Sequence, residues 1–214
     1  MDLSSYIDHT ILKPDCTAQD IARLCEEALE FEFAAVCVPP YFVNQARQLL
    51  EDDPQKVATV VGFPFGYSPT PAKVEEVKKA IDEGADEIDA VINICAVKSG
   101  NWNYVANDIE SMVTLARLKS KTIKIILETG LMNQEEITRL CELCVQSGTN
   151  YVKTSTGFNG QGATVETVTF LNQLLKGKAK IKASGGIRTY WDAQRFIEAG
   201  ASRIGTSSGP ALVR

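Results

Sequence analysis

Residues 148–153, Gly-Thr-Asn-Tyr-Val-Lys, decide the fold, because a helix ends at the glycine and a strand follows at once. The same pattern recurs at residues 84–89, GADEID, and at residues 200–205, GASRIG. Glycine suits the position just after a helix because it reaches positive φ without a Cβ clash. Three copies of one helix-to-strand junction predict a chain of repeated strand–helix units.

Outward from these junctions, β-rich runs alternate with amphipathic helical stretches. The predicted strands cover residues 6–10, 34–38, 57–61, 87–92, 123–128, 151–154, 180–183 and 203–205. The predicted helices include residues 17–31, 72–83, 105–118, 134–146, 165–175 and 190–199. Strict alternation favours parallel strands joined by crossover helices. Eight units predict an α/β fold, a (βα)8 TIM barrel formed by residues 1–214 as one domain, with an open doubly wound sheet as the alternative.

The chain has little left after the last predicted strand. Pro210 could open a helix, but residues 209–214 allow only about one turn. We therefore expect a shortened C-terminal helix. The cover that a full helix would give the sheet would then come from elsewhere, which suggests a homodimer or a higher homo-oligomer.

Composition narrows the function classes. The 214 residues are 44% hydrophobic and carry a formal net charge of −5, without the basic face of a nucleic-acid-binding protein. No signal peptide and no membrane span are visible. Six cysteines in an α/β chain suggest reduced thiols and a cytoplasmic location. Cys141 and Cys144 could be a redox or metal pair, but their spacing favours the apolar face of a helix.

Two lysines on neighbouring strands are the sharpest chemical feature. Lys153 and Lys182 each stand two residues before a serine, near the end of a predicted strand. A single strand lysine usually faces solvent or pairs with a carboxylate. Adjacent strands lie about 4.8 Å apart, so the two ammonium groups can approach closely. Like charges in a water-poor cavity disfavour the protonated amine.

A neutral lysine is what carbonyl chemistry requires. At an ordinary pKa, lysine is neutral in only about one molecule in 2,500 at pH 7. A pKa near about 7–8 recovers most of that factor and makes the amine a nucleophile toward a carbonyl carbon. The lysine pair therefore predicts a Schiff-base enzyme with Lys153 as the nucleophile.

Asp89 is the third candidate catalytic residue. The junction repeat places Asp89, Lys153 and Gly205 at equivalent positions of strands four, six and eight. Alternate strands of such a barrel contribute to the same interior layer, so these residues should face one another. Asp89 could form a structural salt bridge to Lys182, could pass protons to the substrate, or could do both.

Glycine-rich loops follow strands six, seven and eight. The glycines and serines concerned are Gly157, Gly160, Gly162, Gly185, Gly186, Gly205, Ser207, Ser208 and Gly209. Barrels of this kind often bind phosphate after strands seven and eight, through backbone N–H groups. The glycines could also serve tight turns alone, but several adjacent loops favour a phosphate site.

The first two strands add less certain candidates. Asp8 and Thr10 share one face of the first strand, and the only histidine, His9, points to the other face. If the shared face is inward, Asp8 and Thr10 belong to the site and His9 packs outside. Cys37 is either a core thiol or part of the pocket lining.

These motifs together resemble the deoxyribose-phosphate aldolase family over nearly the whole chain. The matching segments are residues 7–14 (IDHTILKP), 60–64 (VVGFP), 87–93 (EIDAVIN), 152–157 (VKTSTG), 182–189 (KASGGIRT) and 205–209 (GTSSG). Cys95, the segment 128–132 (ETGLM) and the short tail depart from the family pattern. None of these departures touches Lys153, Lys182 or Asp89.

The resemblance implies a lyase of deoxyribonucleotide catabolism that cleaves 2-deoxy-D-ribose 5-phosphate, a phosphosugar, without a cofactor or metal. Lys153 would form the imine, Lys182 would perturb its pKa, and Asp89 would relay protons. The phosphate would be held by Gly157, Gly185, Gly186, Ser207 and Ser208. Asp8 and Thr10 would contact the active-site network or substrate hydroxyls. Another phosphate-binding barrel enzyme and a non-catalytic phosphosugar-binding barrel are the rivals.

Overall fold

The computed structural model describes residues 2–213, and it forms a closed barrel of eight parallel strands in sequence order. Met1 and Arg214, the two ends of the predicted domain, lie outside the described residues. The strands are β1 Ile7–Thr10, β2 Ala35–Val38, β3 Lys56–Val61, β4 Glu87–Val91, β5 Thr122–Ile126, β6 Tyr151–Lys153, β7 Lys180–Ser184 and β8 Arg203–Thr206. Pairing of β1 with β8 closes the barrel, which confirms the TIM barrel and excludes the open sheet.

Helices surround the barrel and alternate with its strands. They are α1 Ala18–Glu30, α2 Val43–Leu49, α3 Thr70–Asp82, α4 Ile94–Lys98, α5 Trp102–Leu118, α6 Gln134–Ser147, α7 Val165–Leu175, α8 Tyr190–Glu198 and α9 Gly209–Val213. Short 3-10 turns occupy Ser4–Tyr6, Pro40–Phe42 and Thr129–Leu131. No helix in residues 2–213 is long and apolar enough to cross a membrane.

Local sequence sets the helix ends. Helix α6 begins with a capping box, in which Asn133 accepts from the backbone N–H of Glu136 and the Glu136 side chain accepts from the backbone of Asn133. It ends at Gly148, whose φ of 77° is the left-handed conformation that the junction repeat predicts. Helix α6 therefore ends at a defined residue, shortly before β6 begins.

The apolar face of α6 packs on the barrel. Cys141 and Cys144 lie on it, 2% and 0% exposed, and both thiols are free. Burial raises the pKa of the Cys141 thiol to about 12 and raises that of Cys144 as well. The packing interpretation of this cysteine pair is confirmed.

The C-terminal helix is short, as predicted. Helix α9 has five residues, and its buried side chain is Leu212. A Cβ on Gly209 would lie 2.8 Å from Phe33 Cε2 and 2.9 Å from His9 Nδ1. The close approach of α9 to β1 therefore requires glycine at its first position.

Candidate active site

A cavity of about 740 Å³ opens among the loops that follow the strands. Lys153, at the end of β6, lines it and is 3% exposed. Lys182, Asp89 and Asp8 do not line the cavity and are fully buried inside the barrel. Of these four residues, Lys153 is therefore the one whose side chain reaches the cavity.

Asp89 lies at the centre of a buried cluster of lysines. Its Oδ2 accepts hydrogen bonds from Lys153 Nζ at 2.8 Å and from Lys182 Nζ at 2.7 Å. Its Oδ1 accepts from Lys124 Nζ at 2.8 Å. The predicted meeting of strands four and six is confirmed by the contact between Asp89 and Lys153. The three lysines converge because β4 pairs with β5 at Asp89 and Lys124, and β6 pairs with β7 at Lys153 and Lys182.

A second layer of charges supports this cluster. Asp8 contacts Lys182 Nζ and Arg203, each at 2.5 Å. Glu87 contacts Lys124 Nζ at 2.5 Å and Arg203 at 3.0 Å. The result is a connected network of seven ionisable groups across β1, β4, β5, β6, β7 and β8.

The network is electrically balanced without a charge on Lys153. It contains three carboxylates, Asp8, Glu87 and Asp89, and three other cations, Lys124, Lys182 and Arg203. Buried charges are tolerated when they are paired, and an uncompensated one is costly. Protonation of Lys153 adds one positive charge in excess, so its neutral form is favoured.

The directions in which the lysine pKa values are shifted agree with this charge balance. Burial lowers the pKa of Lys153, and the charge of Lys182 lowers it further, although Asp89 opposes both. For Lys182, burial acts in the same direction, but Asp8 and Asp89 outweigh it and raise its pKa. Lys124 behaves like Lys182, because Asp89 and Glu87 outweigh its burial. Lys153 is therefore the lysine of this pair that loses its proton more readily, and Lys182 stays a cation beside it.

The carboxylates stay ionised. Burial alone would raise the pKa of Asp8, but Lys182, Arg203 and Lys124 together outweigh it and lower that pKa to about 2. The pKa of Asp89 also lies well below its ordinary value, because its lysine contacts outweigh its burial. Asp89 is thus a permanent acceptor between Lys153 and Lys182.

Our sequence analysis missed three members of the network, Lys124, Glu87 and Arg203. The alternation of strand side chains could have found them. Glu87 stands two residues before Asp89, and Arg203 two before Gly205, so each shares an inward face. Lys124 is a lone lysine between two apolar residues of β5.

The glycine loops divide between packing and access to the cavity. A Cβ on Gly162 would lie 2.2 Å from the Gly185 carbonyl oxygen, and Gly157 packs against Gly185 as well. Because these glycines lack a Cβ, the loops after β6 and β7 can touch. This agrees with the alternative interpretation of the sequence, in which the glycines have a structural role in the loops. Gly157, Gly185 and Gly186 all line the cavity, but Gly186 differs because a Cβ on it would meet nothing within 4 Å; its φ is 83°. Its backbone is accessible to a ligand.

The two serines after β8 are placed differently. Ser207 is exposed and lines the cavity. Ser208 does not line it, and its backbone N–H donates to Thr206 Oγ1 at 3.0 Å. The structure thus brings Ser207 together with Lys153 around one cavity and places Ser208 at its edge.

The candidates on the first two strands take the predicted faces. Asp8 points into the barrel, and Thr10 lines the cavity while its hydroxyl donates to the Asp8 carbonyl oxygen at 2.8 Å. His9 Nε2 contacts Glu27 of α1 at 2.6 Å, but both residues line the same cavity as Lys153, so the expectation that His9 lies outside the site is wrong. Cys37 is fully buried and does not line the cavity, so it is a core thiol.

Comparison with known proteins agrees with this architecture. Residues 3–213 match the family described as DeoC/LacD family aldolase. The chain is 49% identical to a deoxyribose-phosphate aldolase of Caldicellulosiruptor saccharolyticus, over 99% of this chain and 97% of that protein. It is 50% identical to a deoxyribose-phosphate aldolase of Thermococcus gammatolerans, over 100% of this chain and 96% of that protein.

A solved structure extends the similarity to three dimensions. The deoxyribose phosphate aldolase of Aeropyrum pernix, described as a tetramer, superposes with a TM-score of 0.92 at 33% identity. The match covers 99% of this chain and 89% of that one. Because the family match and the relatives span nearly all of its residues, this chain belongs to the DeoC/LacD family of aldolases.

Proposed function

We propose that the protein is a class I aldolase that reversibly cleaves 2-deoxy-D-ribose 5-phosphate to D-glyceraldehyde 3-phosphate and acetaldehyde through a Schiff base on Lys153. The observation that carries the proposal is the position of Lys153. It is the one amine of the buried network that reaches the cavity, and the one whose pKa is lowered. The relatives are named deoxyribose-phosphate aldolases, and a glycine-lined cavity suits a phosphorylated substrate of that class.

The proposed reaction begins with the neutral Lys153 amine. It adds to the C1 aldehyde of the substrate, and the carbinolamine loses water to give an iminium ion. The iminium accepts the electron pair of the C2–C3 bond as that bond breaks and the C3 hydroxyl loses its proton. Glyceraldehyde 3-phosphate leaves. The enamine is protonated at C2, and hydrolysis of the resulting imine releases acetaldehyde and restores Lys153.

Lys182 and Asp89 would act through Lys153. The fixed positive charge of Lys182 disfavours protonation of its neighbour, so the nucleophile is available near neutral pH. Asp89 Oδ2 contacts both amines, at 2.8 Å and 2.7 Å, and would serve as the proton-relay partner between them. Asp8 would keep Lys182 charged through its 2.5 Å contact.

The phosphate would lie at the glycine loops. Gly186 and Ser207 offer groups that face the cavity, with Gly157 and Gly185 beside them. Ser208 would contribute its hydroxyl, because its backbone N–H is already bonded. Thr10, also on the cavity wall, would contact a substrate hydroxyl.

The decisive experiment is reductive trapping. Incubation with deoxyribose 5-phosphate or acetaldehyde, followed by borohydride, should attach the substrate carbon to the peptide that contains Lys153, as located by mass spectrometry. Lys153→Arg should abolish the adduct, and Lys180→Arg, on the exposed end of β7, should not change it. Absence of an adduct on Lys153 would reject the Schiff base. A non-catalytic phosphosugar-binding barrel would instead show saturable binding without turnover.

We also propose a cytoplasmic enzyme of deoxyribonucleotide catabolism that forms a homodimer or higher homo-oligomer. The tetrameric relative supports the assembly. Sedimentation at micromolar concentration should give a mass that is a multiple of 23.3 kDa; a single-chain mass would contradict the assembly. Retention of activity in the soluble fraction of fractionated cells tests the location.

A further inference from the structure

Glu128, just beyond β5, is a buried carboxylate held without a cation. Its side chain is 0% exposed. Among the ion pairs of residues 2–213 it has none. Its backbone has a φ of 54°, in the left-handed region that a residue with a side chain rarely adopts. A buried polar side chain and a strained backbone at one residue both disfavour folding, so specific contacts must compensate them.

Those contacts all come from the loop after β6. One carboxylate oxygen accepts the backbone N–H of Thr156 at 3.1 Å. The other accepts the Thr156 hydroxyl at 2.5 Å and the Asn159 amide at 3.1 Å. Thr156 and Asn159 flank Gly157 and Phe158, both of which line the cavity. Glu128 therefore fixes the two sides of a short cavity-lining segment.

The same segment is tied to a third loop. Asn159 Nδ2 also donates to the carbonyl oxygen of Pro64, in the loop after β3, at 2.9 Å. The ring of Phe158 meets that of Phe63 edge to face, with centroids 5.2 Å apart. Loops after β3, β5 and β6 thus meet at Glu128.

The side chain of Lys153 has its own contact, separate from those of Glu128. It lies within β6, in register with Lys182 of β7, and its amine is held by Asp89. Strand β6 ends at Lys153, and the Glu128 side chain accepts hydrogen bonds from Thr156, three residues later. The Lys153 amine and the cavity wall beyond it therefore have separate side-chain contacts, although the backbone N–H groups of Leu127 and Thr129, on either side of Glu128, donate to the carbonyl oxygens of Lys153 and Thr154.

We propose that Glu128 is a positioning residue that sets the Gly157 segment for the phosphate-bearing end of the substrate, while leaving the Lys153 amine unaffected. This inference rests on the proposed function. It assigns a role to Glu128, which the Schiff-base mechanism does not use.

The test separates substrate binding from imine formation. Glu128→Gln keeps the side-chain volume but replaces one accepting oxygen with a donor group that faces Asn159. Loss of a charged hydrogen bond of this kind should raise KM for deoxyribose 5-phosphate about tenfold. kcat, and the rate of borohydride trapping with acetaldehyde, which has no phosphate, should stay within about twofold. Glu135→Gln, an exposed carboxylate of α6, is the matched control and should change none of these.

A second variant distinguishes loss of the Glu128 hydrogen bonds from misfolding of the Glu128→Gln protein. Asn159→Ala removes one donor from the same carboxylate and the link to Pro64, and it should raise KM in the same direction with unchanged acetaldehyde trapping. An unchanged KM in both variants, or an equal loss of acetaldehyde trapping, would overturn the inference with the proposed function intact. Wild-type protein that gives no adduct on Lys153 would overturn both.

Discussion

At the scale of single residues, the number of carboxylate partners separates the three lysines of the buried network. Lys182 contacts Asp8 and Asp89, and Lys124 contacts Glu87 and Asp89 within 2.8 Å. Lys153 contacts only Asp89. All three are buried, and burial disfavours the ammonium form of each. One carboxylate is not enough to reverse that effect at Lys153, whereas two carboxylates reverse it at the other lysines.

Replacement of Lys182 tests this balance. Lys182→Met removes the positive charge that lowers the pKa of Lys153, so that pKa should rise. The acidic limb of the pH profile of kcat/KM should move to higher pH, and activity at pH 7 should fall about tenfold for each unit of the rise. Lys180→Met, at the exposed end of the same strand, should keep the wild-type profile.

Stability must be measured alongside that profile. The same change leaves Asp8 and Asp89 with one partner fewer, so the melting temperature should fall as well. A stable Lys182→Met protein with an unshifted acidic limb would reject the assigned role of Lys182.

At the scale of elements, β8 makes room for the lysines by omitting a side chain. A Cβ on Gly205 would lie 3.0 Å from Lys182 Cε and 2.9 Å from Ser184 Cβ. Gly205 pairs in register with both Asp8 and Ser184. The gap at Gly205 that the junction repeat predicts is the space through which Lys182 reaches Asp8 and Asp89.

Filling that space should impair both packing and chemistry. Gly205→Ala should lower the free energy of unfolding by about 1–3 kcal/mol, because added volume in a packed core displaces its neighbours. Displacement of Lys182 should also slow the trapping of acetaldehyde on Lys153. Urea unfolding and trapping rates measure the two effects. Wild-type values for both would show that the site does not depend on the gap.

At the scale of the whole molecule, the buried network links stability to pH. The pKa of Asp8 is about 2 in the folded protein, below its ordinary value of 3.8. A carboxyl group with a lowered pKa stabilises the fold above its unfolded pKa, and that stabilisation is lost as pH falls toward the folded pKa.

The free energy of unfolding should therefore fall between about pH 4 and pH 2, with Asp8 contributing about 2 kcal/mol. Asp89, whose pKa is also lowered, adds to the same trend. Urea unfolding at a series of pH values measures it. Asp8→Asn should flatten the dependence, whereas Asp52→Asn, an exposed carboxylate, should not. Equal slopes in wild type and Asp8→Asn would contradict the assignment.

Most of the fold could be predicted because its signals are local. Gly148 ends a helix through its own conformational freedom, and the period of apolar residues separates strands from helices without reference to distant residues. Strand parity likewise placed Asp8 and His9 on opposite faces of β1. Helix α2, Val43–Leu49, was not identified.

The active-site arrangement was predictable only in part. The sequence by itself determined the barrel, the inward faces of its strands and the neighbouring positions of Lys153 and Lys182. Only the tertiary structure decided which lysine has the lowered pKa, because that depends on carboxylates from β1 and β4 and on the balancing charges of Arg203 and Lys124. It also decided the contacts of Glu128 with a loop 28 residues away. Electrostatic energy depends on distances in space between residues far apart in the chain, and closure of the barrel sets those distances.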